Sequence, residues 1–145
     1  MLVSKFVEID MGHRVPNHKS KCRHLHGHRY KIELGVDDKI IKTNGASNEG
    51  MVIDYGDLKQ TLQWIIVDKF DHQFIMYFDD QLLGYYLDYA HQIALGIVVV
   101  NFIPTAENLA KHWYELLKKN LQEQNIKIKY VKVWETPTST ATYEE

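Results

Sequence analysis

Five of the eight histidines, His13, His18, His24, His26 and His28, fall within 16 residues. His26 and His28 flank Gly27, and on a β-strand residues two apart project from the same face. Both imidazoles therefore stand close enough to share one metal ion. His13 ends a separate alternating run in which Val7, Ile9, Met11 and His13 share a face, and antiparallel pairing of the two runs brings it alongside. Three neutral imidazoles with an open fourth position are the donor set of catalytic zinc, whereas a closed structural site draws on several thiolates. Cys22 is the single cysteine of the chain. A solvated histidine-rich loop is the plainer reading that spacing leaves open. His18 and His24 are out of phase with the other three and face solvent or a substrate.

Other groups could work beside such a metal. Cys22 lies among Lys19, Lys21, Arg23 and His24, and nearby positive charge favours a reactive thiolate. A free cysteine is also commonly a small buried hydrophobe. Asp71 and His72 are neighbours after a predicted helix, either a proton-relay pair or a capping carboxylate beside a surface histidine. Glu135 continues a strand face with Val131 and Val133, and a carboxylate there is costly unless a partner meets it. The alternative is a strand end emerging into water. Glu107 stands in the first turn of a helix, where the dipole alone favours a carboxylate.

The elements that must position these groups follow from periodicity. Residues 2–13 and 26–36 read as strands joined by a basic loop. Residues 55–70 carry Leu58, Leu62, Ile65, Ile66 and Phe70 at helical spacing, with Asp54 as N-cap. The polar run 37–50 holds an Asn44-Gly45 turn, and Leu82, Leu83, Tyr86, Leu87 and Ala90 suit a short helix. Ile97–Phe102 reads as a third strand. Thr105 caps a second long helix that buries Leu109, Trp113, Leu116, Leu117 and Leu121, with Lys118 and Lys119 near its end. Ile126–Trp134 reads as a fourth strand whose inward phase changes near Tyr130, the mark of a bulge or a twist. Two strands, a helix, a variable region, a strand, a helix and a strand make an α+β domain with an antiparallel sheet.

At 145 residues with 45% hydrophobic content, the chain is sized for one domain with a real core, spanning 1–145. A net charge of −2 lacks the basic excess of nucleic-acid binders. No apolar run approaches the ~20 residues that cross a bilayer, and the N-terminus lacks the pattern of a signal peptide. One cysteine forms no internal disulfide, so a cytoplasmic setting is expected.

Four motifs in order now carry a resemblance: GHRV through KCRHLHGHRY (Gly12–Tyr30), FDH (Phe70–His72), PTAEN (Pro104–Asn108) and WETPTSTATY (Trp134–Tyr143). The chain resembles the 6-pyruvoyl-tetrahydropterin synthase family over nearly its whole length, most of all the bacterial 6-carboxytetrahydropterin synthase branch of queuosine biosynthesis. The resemblance implies a tunnelling fold, a four-stranded antiparallel sheet with two helices on one face. It implies a homohexamer of two stacked trimers with active sites at subunit interfaces. It also implies zinc on His13, His26 and His28, Cys22 as catalytic thiol, and Asp71 with His72 as its assistants. Glu135 then anchors a pterin, with Thr105 and Glu107 at the same pocket.

The implied activity is a zinc-dependent lyase reaction. It converts 7,8-dihydroneopterin triphosphate to 6-carboxy-5,6,7,8-tetrahydropterin and releases acetaldehyde and triphosphate. Three residues separate Cys22 from His26, a spacing associated with that branch. The alternative product is 6-pyruvoyl-tetrahydropterin, and a non-catalytic pterin- or metal-binding protein is a third reading. Lys19, Lys21, Arg23 and His24 are triphosphate-binding candidates by charge, and no motif accounts for residues 79–96.

Overall fold

The computed structural model describes residues 1–93 and 96–145. Strands β1 (Leu2–His13) and β2 (His26–Asp37) form a long antiparallel hairpin, paired without a break from Leu2↔Asp37 to His13↔His26. Helix α1 (Tyr55–Leu62) starts at Asp54, whose carboxylate accepts the Gly56 N–H at 2.7 Å. The coil continues through a π-helical turn, Gln63–Val67, into a last α-helical turn, α2 (Asp68–Phe70). There follow β3 (Phe74–Tyr77), α3 (Leu83–Ile93), β4 (Ile97–Val100), α4 (Ala106–Gln122), β5 (Ile128–Thr136) and β6 (Ser139–Glu144).

The α+β class stands, but the expected four-stranded antiparallel sheet does not. The sheet has six strands in the order β4-β3-β1-β2-β5-β6, and it is mixed, because β3 runs parallel to both β1 and β4. The sequence reading lacked β3 and β6 for separate reasons. Phe74–Tyr77 is a four-residue run too short for any period to register. Ser139–Glu144 is an edge strand alternating Thr and small residues, with no buried position to betray a core face. The short helix expected near residue 82 is α3; the side chain of Ala90, assigned to it, lies outside the described residues.

The core lies between one sheet face and the helices. Ile9, Met11, Tyr30, Ile32, Leu34, Val131 and Val133 come from the sheet, and Leu58, Leu62, Ile66, Phe70, Leu109, Trp113, Leu117 and Leu121 cover them. Thr105 caps α4 by accepting the Asn108 N–H. The phase change in β5 is a bulge: pairing with β2 slips between Gly35 and Val36, so that Ile128 and Val131 both point inward. A second slip, against β6, falls at Glu135 between Trp134 and Thr136. Bulges re-aim side chains, and this one marks a residue singled out above.

One buried ion pair ties β1 to the turn before α3. The Asp80 side chain is fully buried, and its Oδ2 lies 3.1 Å from Nε of Arg14 without the alignment of a hydrogen bond. Its Oδ1 accepts the Leu82 N–H at 2.8 Å. Removing one member of a buried pair leaves an uncompensated charge, a loss of about 3–5 kcal/mol. Asp80→Leu is therefore expected to lower urea-unfolding stability by about 3 kcal/mol, and adding Arg14→Met to recover most of it. A loss under about 1 kcal/mol means that the pair is solvated.

Candidate metal centre

The hairpin end delivers the three histidines. His13 and His26 are opposite partners, Met11 pairs with His28, and alternation turns all three imidazoles to the core side. Ring centroids are 4.5 Å apart for His13 and His26, 5.2 Å for His13 and His28, and 5.1 Å for His26 and His28. One potential ligand atom from each lies within 4.8 Å of the others, and Cys22 and Glu135 are not part of that group.

Hydrogen bonds select the tautomers. His13 Nδ1–H donates to the Pro104 carbonyl at 2.7 Å, and His26 Nδ1–H donates to the His24 carbonyl at 2.7 Å. Both leave Nε2 free as a lone-pair donor, the orientation that ligating histidines receive from a carbonyl partner. His13 is 1% exposed and its Nε2 has no hydrogen-bond partner. The Glu135 carboxylate stands 3.6 Å from that atom. A buried acceptor without a donor is a costly arrangement, and a cation among three imidazole nitrogens resolves it. The residues present fit a divalent metal.

Burial pushes the His13 imidazole down to about 4, with its two histidine neighbours adding to the effect. Burial also lowers His28. Ligating imidazoles must be neutral, and burial holds His13 and His28 towards that form. In metal-free protein His13 stays neutral while the unfolded chain takes a proton at its ordinary value near 6.5, so acid favours unfolding. The His13 contribution is complete above pH 6.5 and is lost as pH falls towards 4, by about 3 kcal/mol. Thermal melts of metal-free wild type are expected to fall across that window, and those of His13→Gln to fall less.

Tyr30 forms the floor. It is fully buried, edge-on to His13 and His28 at 5.8 and 5.6 Å, and burial beside Glu135 raises its hydroxyl far above the ordinary tyrosine value. Sequence reasoning missed Tyr30 and the Pro104 carbonyl. The in-phase His26, His28, Tyr30 series carried a signal for the first; a main-chain carbonyl leaves no signature for the second. The PTAEN segment thus supplies Pro104 to His13. Thr105 acts as a helix cap, and Glu107 sits exposed in the first turn of α4, with no hydrogen bond or ion pair among the described residues.

The remaining residues lie on the β1–β2 loop and on the turn after α2. Cys22 is half-buried on a 3₁₀ turn, Lys21–Arg23, inside the β1–β2 loop, which is held closed by the Val15 N–H donating to the Cys22 carbonyl at 2.8 Å. Lys19, Lys21, Arg23 and His24 are exposed on that loop. Asp71 Oδ2 is 3.0 Å from His72 Nδ1, and the Asp10 N–H holds the Asp71 carboxyl below its ordinary range. A groove of about 590 Å³ joins His72 to His28 and Gly27. A second of about 590 Å³ joins His28 to Glu135, Trp134 and Lys31. Gly27, His28 and Arg29 line both grooves, so the two lie side by side along β2.

Fold and site define an α+β domain that presents a preformed trihistidine cluster at one end of its sheet. Its structure matches that of an uncharacterised Wolinella succinogenes protein at a TM-score of 0.82 and 27% identity, covering 100% of this chain and 98% of that one. It shares its fold with Caenorhabditis elegans 6-pyruvoyl tetrahydropterin synthase, at a TM-score of 0.70 and 21% identity over 100% of this chain and 95% of that one. The chain belongs to the 6-pyruvoyl tetrahydropterin synthase family, whose model matches residues 2–145. It is 32% identical over 143 residues to the 6-carboxy-5,6,7,8-tetrahydropterin synthase of Haemophilus influenzae, covering 99% of this chain and 98% of the relative. The Aquifex aeolicus enzyme of the same name is 36% identical over 163 aligned positions, covering 99% of this chain and 97% of the relative.

Proposed function

We propose that the chain is a zinc-dependent 6-carboxy-5,6,7,8-tetrahydropterin synthase acting on 7,8-dihydroneopterin triphosphate in 7-deazaguanine (queuosine) biosynthesis. The observation that carries the reading is the buried, unpartnered Nε2 of His13, facing two more imidazoles and the Glu135 carboxylate. Full-length similarity to relatives named for that activity supports it.

His13, His26 and His28 would hold the metal, which supplies Lewis acidity that polarises an oxygen of the substrate side chain and acidifies the adjoining C–H. Cys22 takes that proton as thiolate. His72, oriented by Asp71, returns a proton elsewhere, moving hydrogen from side chain to ring. Water then adds to the side-chain carbon next to the ring as its bond to the following carbon breaks, so that this carbon becomes the carboxylate while acetaldehyde and triphosphate leave. Glu135, re-aimed by its bulge, accepts from the 2-amino and ring N–H groups of the pterin in a bidentate pair. Tyr30 and the apolar floor keep water from the imidazoles.

The active unit in this reading is a homohexamer with sites at subunit interfaces. The sheet's outer strands, β4 and β6, offer main-chain edges that such an assembly would cover. Among the described residues no helix is long and apolar enough to cross a membrane.

The test is metal analysis of purified protein combined with mass identification of the product. One zinc per chain and a 6-carboxy product with acetaldehyde support the reading. A three-carbon side chain retained on the ring makes the enzyme a 6-pyruvoyl-tetrahydropterin synthase instead. Tight pterin binding without turnover makes it a binding protein.

A further inference from the structure

The turn carrying Asp71 and His72 follows α2 in sequence and bonds back to it through the Asp71 and Gln73 N–H groups, yet three further hydrogen bonds tie it to β1. The Asp10 N–H donates to Asp71 Oδ1 at 2.9 Å. The His72 N–H donates to the Asp10 carbonyl at 2.7 Å, and the Gly12 N–H donates to the Gln73 carbonyl at 2.9 Å. His72 adopts a left-handed φ of 59°, a conformation that a non-glycine residue keeps only when its surroundings impose it. These three bonds are the imposition.

Gly12 is the point of closest approach. It is the β1 partner of Phe74 in the parallel register, and a Cβ built on it would lie 2.3 Å from Cδ2 and 2.8 Å from Cε2 of that ring. The Phe74 N–H is tied to the Gly96 carbonyl at 2.9 Å, and its ring stacks on Tyr86 with centroids 6.4 Å and planes 10° apart. Gly96 leaves room for the Gln73 amide, whose Oε1 a Cβ there would meet at 2.5 Å, a contact the flexible Gln73 side chain can relieve. His72 shares its groove with Gly12, Phe74 and His28.

We infer that Gly12 and Phe74 are positioning residues for the Asp71–His72 pair. The bare Gly12 lets the Phe74 ring lie on β1, and that contact fixes where the Asp71–His72 turn sits against the strand. The inference rests on the pair's role as proton relay. It also explains a glycine directly before the ligand His13, where strand geometry would accept any residue.

Four variants test it: His72→Ala, Gly12→Ala, Phe74→Leu and the double Gly12→Ala/Phe74→Leu, each read by kcat, KM and zinc content. Displacing a reacting group by about 1 Å costs on the order of 10²-fold. Gly12→Ala is expected to lose about that much kcat with KM and zinc little changed, because overpacking shifts the ring and the turn with it. The double variant, with room for the new methyl, is expected to regain most of the loss, a non-additivity that marks direct coupling.

Wild-type kcat in Gly12→Ala beside a dead His72→Ala overturns the inference alone. Additive losses in the double variant, or activity that tracks lost zinc in every Gly12 variant, also overturn it. Should Gly12→Ala fail to fold, Phe74→Leu decides: reduced kcat with zinc retained supports the positioning role, and unchanged kcat overturns it. Wild-type kcat in His72→Ala removes the relay reading, and the inference falls with it.

Discussion

His13→Ala is expected to leave a folded protein that retains no zinc through dialysis and has activity at background. Three features of His13 make the effect the largest of any single ligand. It is 1% exposed, so its imidazole loses no affinity to competing water. Its Nδ1 is locked to the Pro104 carbonyl at 2.7 Å, so Nε2 is presented without rotational search. Burial holds it neutral down to about pH 4, so it does not surrender its lone pair to a proton in mild acid. Loss of a second-shell partner alone typically weakens a metal site 10–100-fold, and loss of this ligand removes a third of the donor set as well. Inductively coupled plasma mass spectrometry of dialysed protein, with turnover measured in parallel, gives the answer. Stoichiometric zinc in the alanine variant would sink the assignment of His13 as a ligand.

Cys22→Ala is expected to do the opposite to metal and the same to turnover. The sulfur is not part of the imidazole cluster, so zinc content should remain that of the wild type. Removing the proposed base should lower kcat by about 10²–10⁴-fold, the span typical of a positioned general base. The loop should keep its shape, because the bond that closes it uses the Cys22 main-chain carbonyl and not the thiol. Wild-type turnover in Cys22→Ala would refute the thiol mechanism, and zinc lost along with activity would instead make Cys22 a ligand.

What the sequence made legible was whatever rests on local period. His26 and His28 could be read as co-facial because strand alternation is a geometric rule, and His13 followed from the same alternation in β1. The β5 bulge was visible as a break in phase at Tyr130. What escaped reading depends on contacts distant in sequence. The Pro104 carbonyl reaches His13 across 91 positions, and Asp80 meets Arg14 through a fold that neither neighbourhood announces. The parallel pairing of β3 escaped too, because the Gly12–Phe74 contact exists only once α1 and α2 have carried the chain back. Of the motif residues, Thr105 proved to be a helix cap in geometry, and Glu107 an exposed first-turn carboxylate.

The loop bearing Cys22 is rooted at both ends in histidines of the cluster: His13 precedes it, His26 follows it, and the two are paired across the hairpin. The ladder below fixes those roots, so the segment between them can be exchanged without disturbing the imidazoles. Loop closure is tolerant of length, with each doubling adding only about 0.6 kcal/mol. Evolution can therefore retune where the thiol meets a substrate by editing a dozen or so residues, while the metal chemistry stays inherited intact. The hairpin works as a socket with an interchangeable insert, and grafting loops of other lengths onto this one chain is a direct way to ask whether loop length sets which pterin product is made.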